Sequence, residues 1–299
     1  MSTDLSTDAF RPTRQHLHAM WSGVAPAWGT HAAFIDARGA AMTAAMLDAI
    51  APRPGQRILE LACGPGGGPG LAAAPRVGPA GEVVLSDVAP EMTALAAARV
   101  TRAGLANVRT RVLDLEDIDE PAATFDAVVV REGLMLVADP MRAASEIRRV
   151  LRPGGRVAVT VWGPRERNPW LTTAFAAVSA ELGTTLPPPG VPHPFSLDDA
   201  DRLAAVLSAG GLCDVTVEEL PTPYRAASVD EWWARTAALA GPFARRLAAL
   251  PEDVTAAIRA RVAASIEPYR TPDGIEFPGV ALLGSATACV ADAGRSYEA

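Results

Sequence analysis

The chain has 299 residues, of which 49% are apolar and 20% charged, so it can bury a large core as one domain with additions or as two small domains. Its formal net charge of −7 argues against a nucleic-acid substrate, because such binding relies on basic patches. All 27 basic residues are arginine, and the absence of lysine excludes a phosphate-loop lysine and a Schiff-base lysine.

The first fifty residues are expected to be helical. Residues 1 to about 14 are polar and predicted to be loose, and residues 15–50 are predicted to form helices broken around Gly23 to Gly29. Trp21 and Trp28 lie on their apolar faces, which could pack on a sheet edge or cover a ligand. The N-terminus lacks a secretory signal pattern and no apolar run reaches about 18 residues, so we expect a cytoplasmic protein without a membrane span.

The next segment, from Arg57 to Gly70, joins an apolar strand to a glycine-rich turn. Glycine has no Cβ, so such a turn lets the backbone approach a flat ligand. A second apolar run then ends in Asp87, near the position where doubly wound α/β folds hold ribose hydroxyls. A surface acid at a strand end is the alternative. The pattern predicts an adenosine-type ligand.

The spacing of the glycines argues against a dinucleotide. The G-x-G-x-x-G fingerprint fails from Gly64, where its third glycine would be Pro69, and from Gly66, where it would be Leu71. Proline offers no N–H to a pyrophosphate at the start of a helix. A nucleoside without phosphates therefore fits better, and a nicotinamide-dependent oxidoreductase is the least favoured function.

Short apolar runs alternate with helical stretches through the middle of the chain, which is typical of a parallel sheet with helices on both faces. The predicted strands are 57–61, 82–86, 108–113, 125–130 and 155–162, and the predicted helices are 69–76, 90–103 and 140–151. A sharp turn at residues 152–155 leads into the fifth strand.

The pattern changes after Gly163. A helix is predicted within residues 164–182, followed by a stiff proline-rich loop at 186–195. Ser196 is predicted to cap a helix that runs to Ala209. The last predicted elements are a strand at 214–220, two or three helices within 229–268 and a strand at 280–288.

The three cysteines, Cys63, Cys213 and Cys289, lie far apart and form no C-x-x-C pair. We expect three reduced thiols and no metal site, because histidines at ligand spacing are also absent. A redox role for Cys63 is less favoured than that of a small buried side chain filling the turn.

The glycine-rich turn resembles motif I of class I S-adenosylmethionine-dependent methyltransferases, with Glu60, Ala62, Gly64 and Gly66 in the pattern E/D-x-G/A-x-G-x-G. The resemblance continues through segments 85–92, 112–117, 125–135 and 149–163. Within this family, the chain most resembles the UbiE-like methyltransferases that act on small molecules. The resemblance implies an α/β, Rossmann-like, doubly wound sheet of seven strands in the order 3-2-1-4-5-7-6, with strand 7 antiparallel. It also implies three parts of the chain: a helical lid (1–50), a core that binds S-adenosylmethionine, or SAM (51–163), and the remainder of the sheet with substrate-binding helical insertions (164–299).

The resemblance also implies roles at the site. Glu60 would face the methionine part of the cofactor, Asp87 the ribose and Asp114 the adenine amino group. Alternatives are core packing for Met92 and a loop tie for Arg131. The predicted cofactor-binding residues are Glu60, Ala62, Gly64, Gly66, Asp87, Val88, Met92, Asp114, Leu115 and Arg131.

Methyl transfer requires alignment in a water-poor pocket more than a dedicated catalytic residue. A general base would help with a hydroxyl or an acidic carbon, and His31 and His193 are the candidates, against a packing or surface role for each. No N/D-P-P-Y/F motif or metal-binding acid cluster is evident.

The predicted function is therefore SAM-dependent methyl transfer to the O, C or N atom of a small, partly apolar acceptor in secondary metabolism, without metal. A cyclase (pericyclase) or a binding scaffold that keeps the cofactor without transferring methyl is the alternative. A small-molecule substrate is expected, nucleic-acid and membrane partners are not, and a homodimer is one assembly that the sequence allows.

Overall fold

The computed structural model describes residues 11–66, 68–239, 247 and 249–290. Its strands are β1 Arg57–Leu61, β2 Glu82–Asp87, β3 Val108–Val112, β4 Phe125–Arg131, β5 Leu151–Trp162, β6 Leu212–Pro221, β7 Tyr224–Ala226, β8 Arg270–Thr271, β9 Gly274–Phe277 and β10 Val280–Ala288. Its helices are α1 Arg11–Thr30, α2 Ala32–Arg38, α3 Ala40–Ile50, α4 Gly68–Val77, α5 Pro90–Ala103, α6 Pro140–Val150, α7 Pro169–Leu182, α8 Ala200–Ala209, α9 Val229–Leu239 and α10 Glu252–Ser265.

Seven strands form one sheet in the order β3-β2-β1-β4-β5-β10-β6. Strands β1 to β5 pair in parallel, whereas β10 runs antiparallel to both β5 and β6. β10 is the seventh strand of the predicted order, so the doubly wound α/β topology is confirmed. The parallel strands end at one edge, which brings Leu61, Asp87 and Arg131 to the same side of the sheet.

The central helices follow from their end signals. α5 occupies the predicted 90–103 because Pro90 suits the first helical position and Gly104, with φ of 65°, ends the helix in the left-handed region. α6 begins where Asp139 accepts a hydrogen bond from the N–H of Arg142 (3.0 Å).

The predicted break around Gly23 to Gly29 is wrong, because α1 continues through Gly23 and Pro26 to Thr30. Its buried residues Val24 and Ala25 pack with Met92 of α5, and this tertiary contact outweighs the helix-breaking tendency. Residues 11–14, predicted to be loose, are helical, and residues 1–10 lie outside the described part of the chain.

Two local predictions past the core are also corrected. α8 is capped by Asp199, whose carboxylate accepts from the N–H of Arg202 (2.9 Å), and the hydroxyl of Ser196 instead accepts from the N–H of His193 (2.9 Å). β5 begins at Leu151, because Phe125 already pairs with Leu151 before the register shifts. A separate three-stranded sheet, β7-β9-β8, was not predicted.

The expectation of three reduced thiols is wrong for Cys213 and Cys289, which form a disulfide with Cα atoms 5.4 Å apart. β6 and β10 are antiparallel neighbours, and Cys213 pairs with Thr287, so Cys289 lies beside it just past the strand end. The sequence separation of 76 residues conceals this proximity. Cys63 is free and buried, as predicted.

Candidate active site

Two adjoining cavities open at the carboxyl edge of the sheet. The first, the strand-end cavity, has a volume of about 100 Å³ and lies at the ends of β1, β2 and β4 under α1 and α2. The second, the aromatic chamber, has a volume of about 390 Å³ and is lined by Trp162, Trp170, Phe175 and Tyr224 among others. Both cavities share the lining residues Leu17, Trp21, Trp28, Ile35, Glu132 and Leu136.

The strand-end cavity collects every predicted cofactor-binding residue except Glu60. Its walls include Ala62, Gly64, Gly66, Asp87, Val88, Met92, Asp114, Leu115 and Arg131. These residues come from four separate segments of the chain, which the sheet order brings together.

The glycine-rich turn forms the floor of this cavity. Ala62 and Gly64 both have positive φ, 52° and 57°, and the N–H of Gly64 donates to Asp87 Oδ2 (2.9 Å). A Cβ on Gly64 would lie 3.7 Å from Trp28 Cε3, so the indole covers the turn. A Cβ on Gly66 would collide with the guanidinium of Arg99. The turn therefore needs small residues because α1 and α5 close tightly over it.

Asp87 ends β2 with its carboxylate in the cavity wall, 8% exposed. Its Oδ1 accepts from the N–H of Ala89 (3.0 Å) and its Oδ2 from the N–H of Gly64. Burial raises the pKa of Asp87, and these backbone donors oppose the rise. Each carboxylate oxygen has a second lone pair, so both can accept further bonds from a ligand.

Glu60 lies behind the turn. It is 1% exposed, and its Oε2 accepts from the N–H of Gly70 (2.7 Å) near the start of α4. Burial raises the pKa of Glu60 to about 8, against the opposing effects of Arg131 and the Gly70 N–H. A carboxylate there satisfies an otherwise unpaired donor of the helix N-terminus. Its contacts in this structure thus support the turn from outside the cavity.

Asp114 is in contact with two side chains of α1, Arg14 and His18, that the sequence analysis did not single out. Arg14 Nε donates to its Oδ2 (3.2 Å), and His18 Nε2 lies 3.2 Å from the same oxygen. Burial favours a higher pKa, but the hydrogen bonds from His18 and Arg14 dominate and lower the pKa of Asp114 to about 2. The i, i+4 spacing of Arg14 and His18 places both on one helix face, and this was the available sequence signal.

Arg131 lines the cavity and also ties helices to β4. Its guanidinium donates to Thr43 Oγ1 (3.3 Å) and lies 3.7 Å from Asp36 Oδ1. A Cβ on Gly68 would lie 2.7 Å from Arg131 Nη1, so the helix start leaves room for it. The loop-tying interpretation of this arginine therefore accounts for its present contacts.

Neither candidate histidine lies where the cavities meet. His31 precedes α2 and lines neither cavity. His193 lines the aromatic chamber, where its Nδ1 accepts from the N–H of Phe195 (3.0 Å), and burial together with Arg165 lowers its pKa. With one ring nitrogen occupied and its pKa lowered, His193 has the contacts of a loop-fixing residue.

Glu132, to which the sequence analysis gave no role, lies in the wall shared by the two cavities. Its φ of 58° is unusual for a residue with a side chain. Its Oε1 is buried without a hydrogen bond among the described residues. Burial raises the pKa of Glu132, while Arg131 and Arg38 oppose the rise. A buried carboxyl group with strained backbone and an oxygen that lacks a hydrogen bond is typical of functional sites.

The comparisons with known proteins agree with this geometry. Residues 58–155 match the family described as methyltransferase domain. This segment of the chain is therefore similar to a methyltransferase domain. Nocamycin O-methyltransferase from Saccharothrix syringae is 39% identical over 115 residues, which cover 38% of this chain and 41% of that protein. The ubiquinone/menaquinone biosynthesis C-methyltransferase UbiE of Ralstonia pickettii is 37% identical over 139 residues, 42% of this chain and 56% of that protein.

Solved structures extend the similarity beyond this domain. YcgJ from Bacillus subtilis covers 83% of this chain and 98% of its own, with a TM-score of 0.59 and 19% identity, which supports the fold alone. The [4+2]-cyclase SpnF covers 84% of this chain and 81% of its own, with a TM-score of 0.54 and 25% identity. The chain spans about half the length of the curated relatives it matches.

Among the described residues, no group of three or more histidine, cysteine, aspartate or glutamate side chains could hold a metal ion. None of the helices in that part of the chain combines the length and hydropathy that crossing a bilayer requires.

Proposed function

We propose that this protein binds S-adenosylmethionine in the strand-end cavity and transfers its methyl group to a small, partly apolar acceptor in the aromatic chamber. The observation that carries the proposal is the shared wall of the two cavities, where Glu132 contacts both. A donor and an acceptor in adjoining cavities can meet without water between them.

The residues of the strand-end cavity fit this cofactor. Asp87 offers two acceptor oxygens for ribose hydroxyls, and Val88, Met92 and Leu115 supply apolar surface for adenine. Asp114 and Glu60 remain proposed contacts of the adenine amino group and the methionine part. The predicted set of ten cofactor-binding residues is kept as part of the proposal.

The charges in this cavity favour a nucleoside over a diphosphate. Three arginines line it, yet each has a carboxylate partner: Arg14 pairs with Asp114, and Arg99 and Arg131 pair with Asp36. Free guanidinium groups would be required to bind a pyrophosphate tightly. When bound, S-adenosylmethionine supplies an electrophilic methyl group on a sulfonium.

The chain's own contribution is alignment, exclusion of water and proton transfer. Trp21 and Trp28 contact edge to face, with centroids 5.6 Å apart, and cover both cavities. Glu132 would accept the proton of an acidic O–H, N–H or C–H group of the acceptor, since its raised pKa makes it a better base than an exposed glutamate.

Residues 1–50 would act as the lid, 51–163 as the cofactor-binding core and 164–299 as the acceptor-binding part. The similarity to an enzyme named for nocamycin supports a role in secondary metabolism. A cytoplasmic location and the absence of nucleic-acid and membrane partners remain predictions, and a homodimer remains one assembly that the sequence allows.

The test is a product-mass assay. The purified protein is incubated with S-adenosylmethionine and a panel of phenolic, enolic and amine acceptors. A product heavier by one methylene unit, with S-adenosylhomocysteine released in equal amount, supports the proposal. Absence of any methylated product across the panel, combined with absence of S-adenosylhomocysteine binding by calorimetry, contradicts it.

The similarity to SpnF favours a second candidate, a cyclase that keeps the cofactor without consuming it. A polyene substrate converted to an isomer of unchanged mass, at constant S-adenosylmethionine concentration, would support that function instead. The same mass assay therefore separates the two reactions.

A further inference from the structure

We propose that Arg38, the last residue of α2, anchors an anionic oxygen such as a carboxylate on the molecule that occupies the aromatic chamber. The inference rests on the proposed function only in calling that molecule the methyl acceptor. The acceptor class is then an apolar, ring-containing compound that carries one acidic oxygen.

The guanidinium of Arg38 is surrounded by aromatic rings. Its guanidinium carbon lies 3.9 Å from the ring centroid of Trp170, 4.5 Å from that of Trp162 and 4.8 Å from that of Tyr224. Contacts with ring faces stabilise the cation, but they leave the in-plane N–H groups free to donate. The rings therefore hold the guanidinium in place without satisfying it.

N–H groups in the plane of the Arg38 guanidinium lack acceptors within the part of the chain that the structure describes. Arg38 Nε and Nη2 are buried, and neither has a hydrogen-bond partner among the described residues. Leaving a buried charged donor without a partner is energetically costly, so such groups are rare unless a ligand provides the missing acceptor. The two N–H groups of a guanidinium edge match the two oxygens of a carboxylate.

Arg38 carries a positive charge inside the aromatic chamber. Burial lowers the pKa of Arg38 to about 10, with Glu132 and Tyr224 opposing, so the side chain is a cation at neutral pH. Another arginine of the chamber, Arg235, pairs with Glu231 and lies over Phe34 (4.4 Å to the centroid). Among the described residues no carboxylate forms such an ion pair with Arg38. Glu132 acts on it electrostatically without a direct contact, so the guanidinium can still pair with an anionic ligand.

The surroundings define the rest of the ligand. The wall near Arg38 is apolar, with Met42, Met135 and Phe175 beside the aromatic rings. A flat hydrocarbon body suits these surfaces, since burial of apolar area supplies affinity while one polar contact sets orientation. An acidic oxygen at Arg38 would orient the rest of the molecule within the chamber that Glu132 also lines.

The test compares 2-naphthoate with its uncharged isostere 2-naphthamide, by calorimetry on the full chain without S-adenosylmethionine. We expect the wild-type protein to bind naphthoate about ten-fold or more tightly than naphthamide, as a charge-assisted bidentate contact should give. Arg38→Met should remove this preference while leaving naphthamide affinity within about two-fold. The matched control Arg53→Met, at an exposed position in the loop before β1, should retain the preference.

Arg38→Lys serves as the second variant, because it keeps the charge and most of the side-chain volume. It should keep a reduced preference for naphthoate, since lysine lacks the planar fork. Equal wild-type affinities for the two probes, no naphthoate binding, or an undiminished preference in folded Arg38→Met or Arg38→Lys would overturn the inference. The naphthoate result does not require cofactor binding, so failure of the proposed function would be seen separately as absent S-adenosylhomocysteine binding.

Discussion

The strand-end cavity and the aromatic chamber differ in how they treat their arginines. In the strand-end cavity, Arg14, Arg99 and Arg131 each have a carboxylate partner within the protein. In the aromatic chamber, Arg38 is surrounded by rings, and two of its nitrogens lack hydrogen bonds among the described residues. In the first cavity every lining arginine forms an ion pair within the protein, whereas in the second Arg38 forms none with the described residues and can pair with a ligand.

The largest expected effect is at Asp87. Asp87→Ala should weaken S-adenosylhomocysteine binding by about 100-fold, because two hydrogen bonds to a charged acceptor are lost. Asp87→Asn should lose less, since it keeps one acceptor oxygen. Calorimetric titration measures both, with circular dichroism to verify that each variant is folded.

Asp48→Ala is the matched control, because the side chain of Asp48 on α3 is 81% exposed. It should bind like the wild type. If Asp87→Ala and Asp48→Ala bind with equal affinity, the ribose assignment fails and the strand-end cavity loses its best-defined contact.

The next effect concerns Glu60, whose folded pKa of about 8 exceeds the ordinary value of 4.5. The folded state binds this proton more tightly than the unfolded state, so the contribution to stability is complete below pH 4.5 and is lost as pH rises through about 8. Between pH 5 and pH 8, Glu60→Gln should therefore gain stability relative to the wild type, on the order of 3–4 kcal/mol. Urea unfolding across this range measures the difference.

Glu166→Gln provides the comparison for Glu60, since Glu166 is an exposed residue. Its stability profile should run parallel to that of the wild type. A parallel profile for Glu60→Gln as well would contradict the buried, protonated state that its raised pKa implies for Glu60.

A smaller effect is expected at Trp28, which covers the glycine-rich turn and belongs to both cavities. Trp28→Ala should weaken S-adenosylhomocysteine binding by about ten-fold through lost apolar contact, and Trp28→Phe should recover much of it. Fluorescence or calorimetric titration would show this. Unchanged affinity in Trp28→Ala would mean that α1 does not cover the bound cofactor.

The smallest expected effect is a difference in stability between glycine substitutions in the glycine-rich turn and in helix α5. Ala62 has a positive φ of 52°, so Ala62→Gly should be at least as stable as the wild type, because glycine relieves the strain. Ala98→Gly, at an exposed interior position of α5, should lose about 1 kcal/mol. Chemical unfolding of the two variants compares them, and an equal loss would argue against strain at Ala62.

The strand-end cavity could be predicted because its signals are local. Glu60 to Gly66 and Asp87 each follow an apolar strand, and parallel strands bring their carboxyl ends to one edge. The contacts of the Glu60 side chain could not be predicted in this way. Its place in the motif is evident from the sequence, but the approach of Gly70, which draws the side chain away from the cavity, is a packing property.

The aromatic chamber could not be predicted, because its residues come from distant segments with no shared motif. Arg38, Glu132, Trp170 and Tyr224 meet only after β5 and the small sheet are in place. The disulfide between Cys213 and Cys289 was missed for the same reason, since it depends on the pairing of β6 with β10. Single-sequence patterns define strand ends, whereas contacts between flanking elements require the tertiary fold.

A crystal structure of the protein with S-adenosylhomocysteine tests the central claim most directly. The account predicts the ribose hydroxyls on Asp87, the adenine beside Leu115 and Met92, and the sulfur directed toward the wall that contains Glu132. A ligand bound away from Asp87, or a sulfur atom directed away from the aromatic chamber, would contradict it.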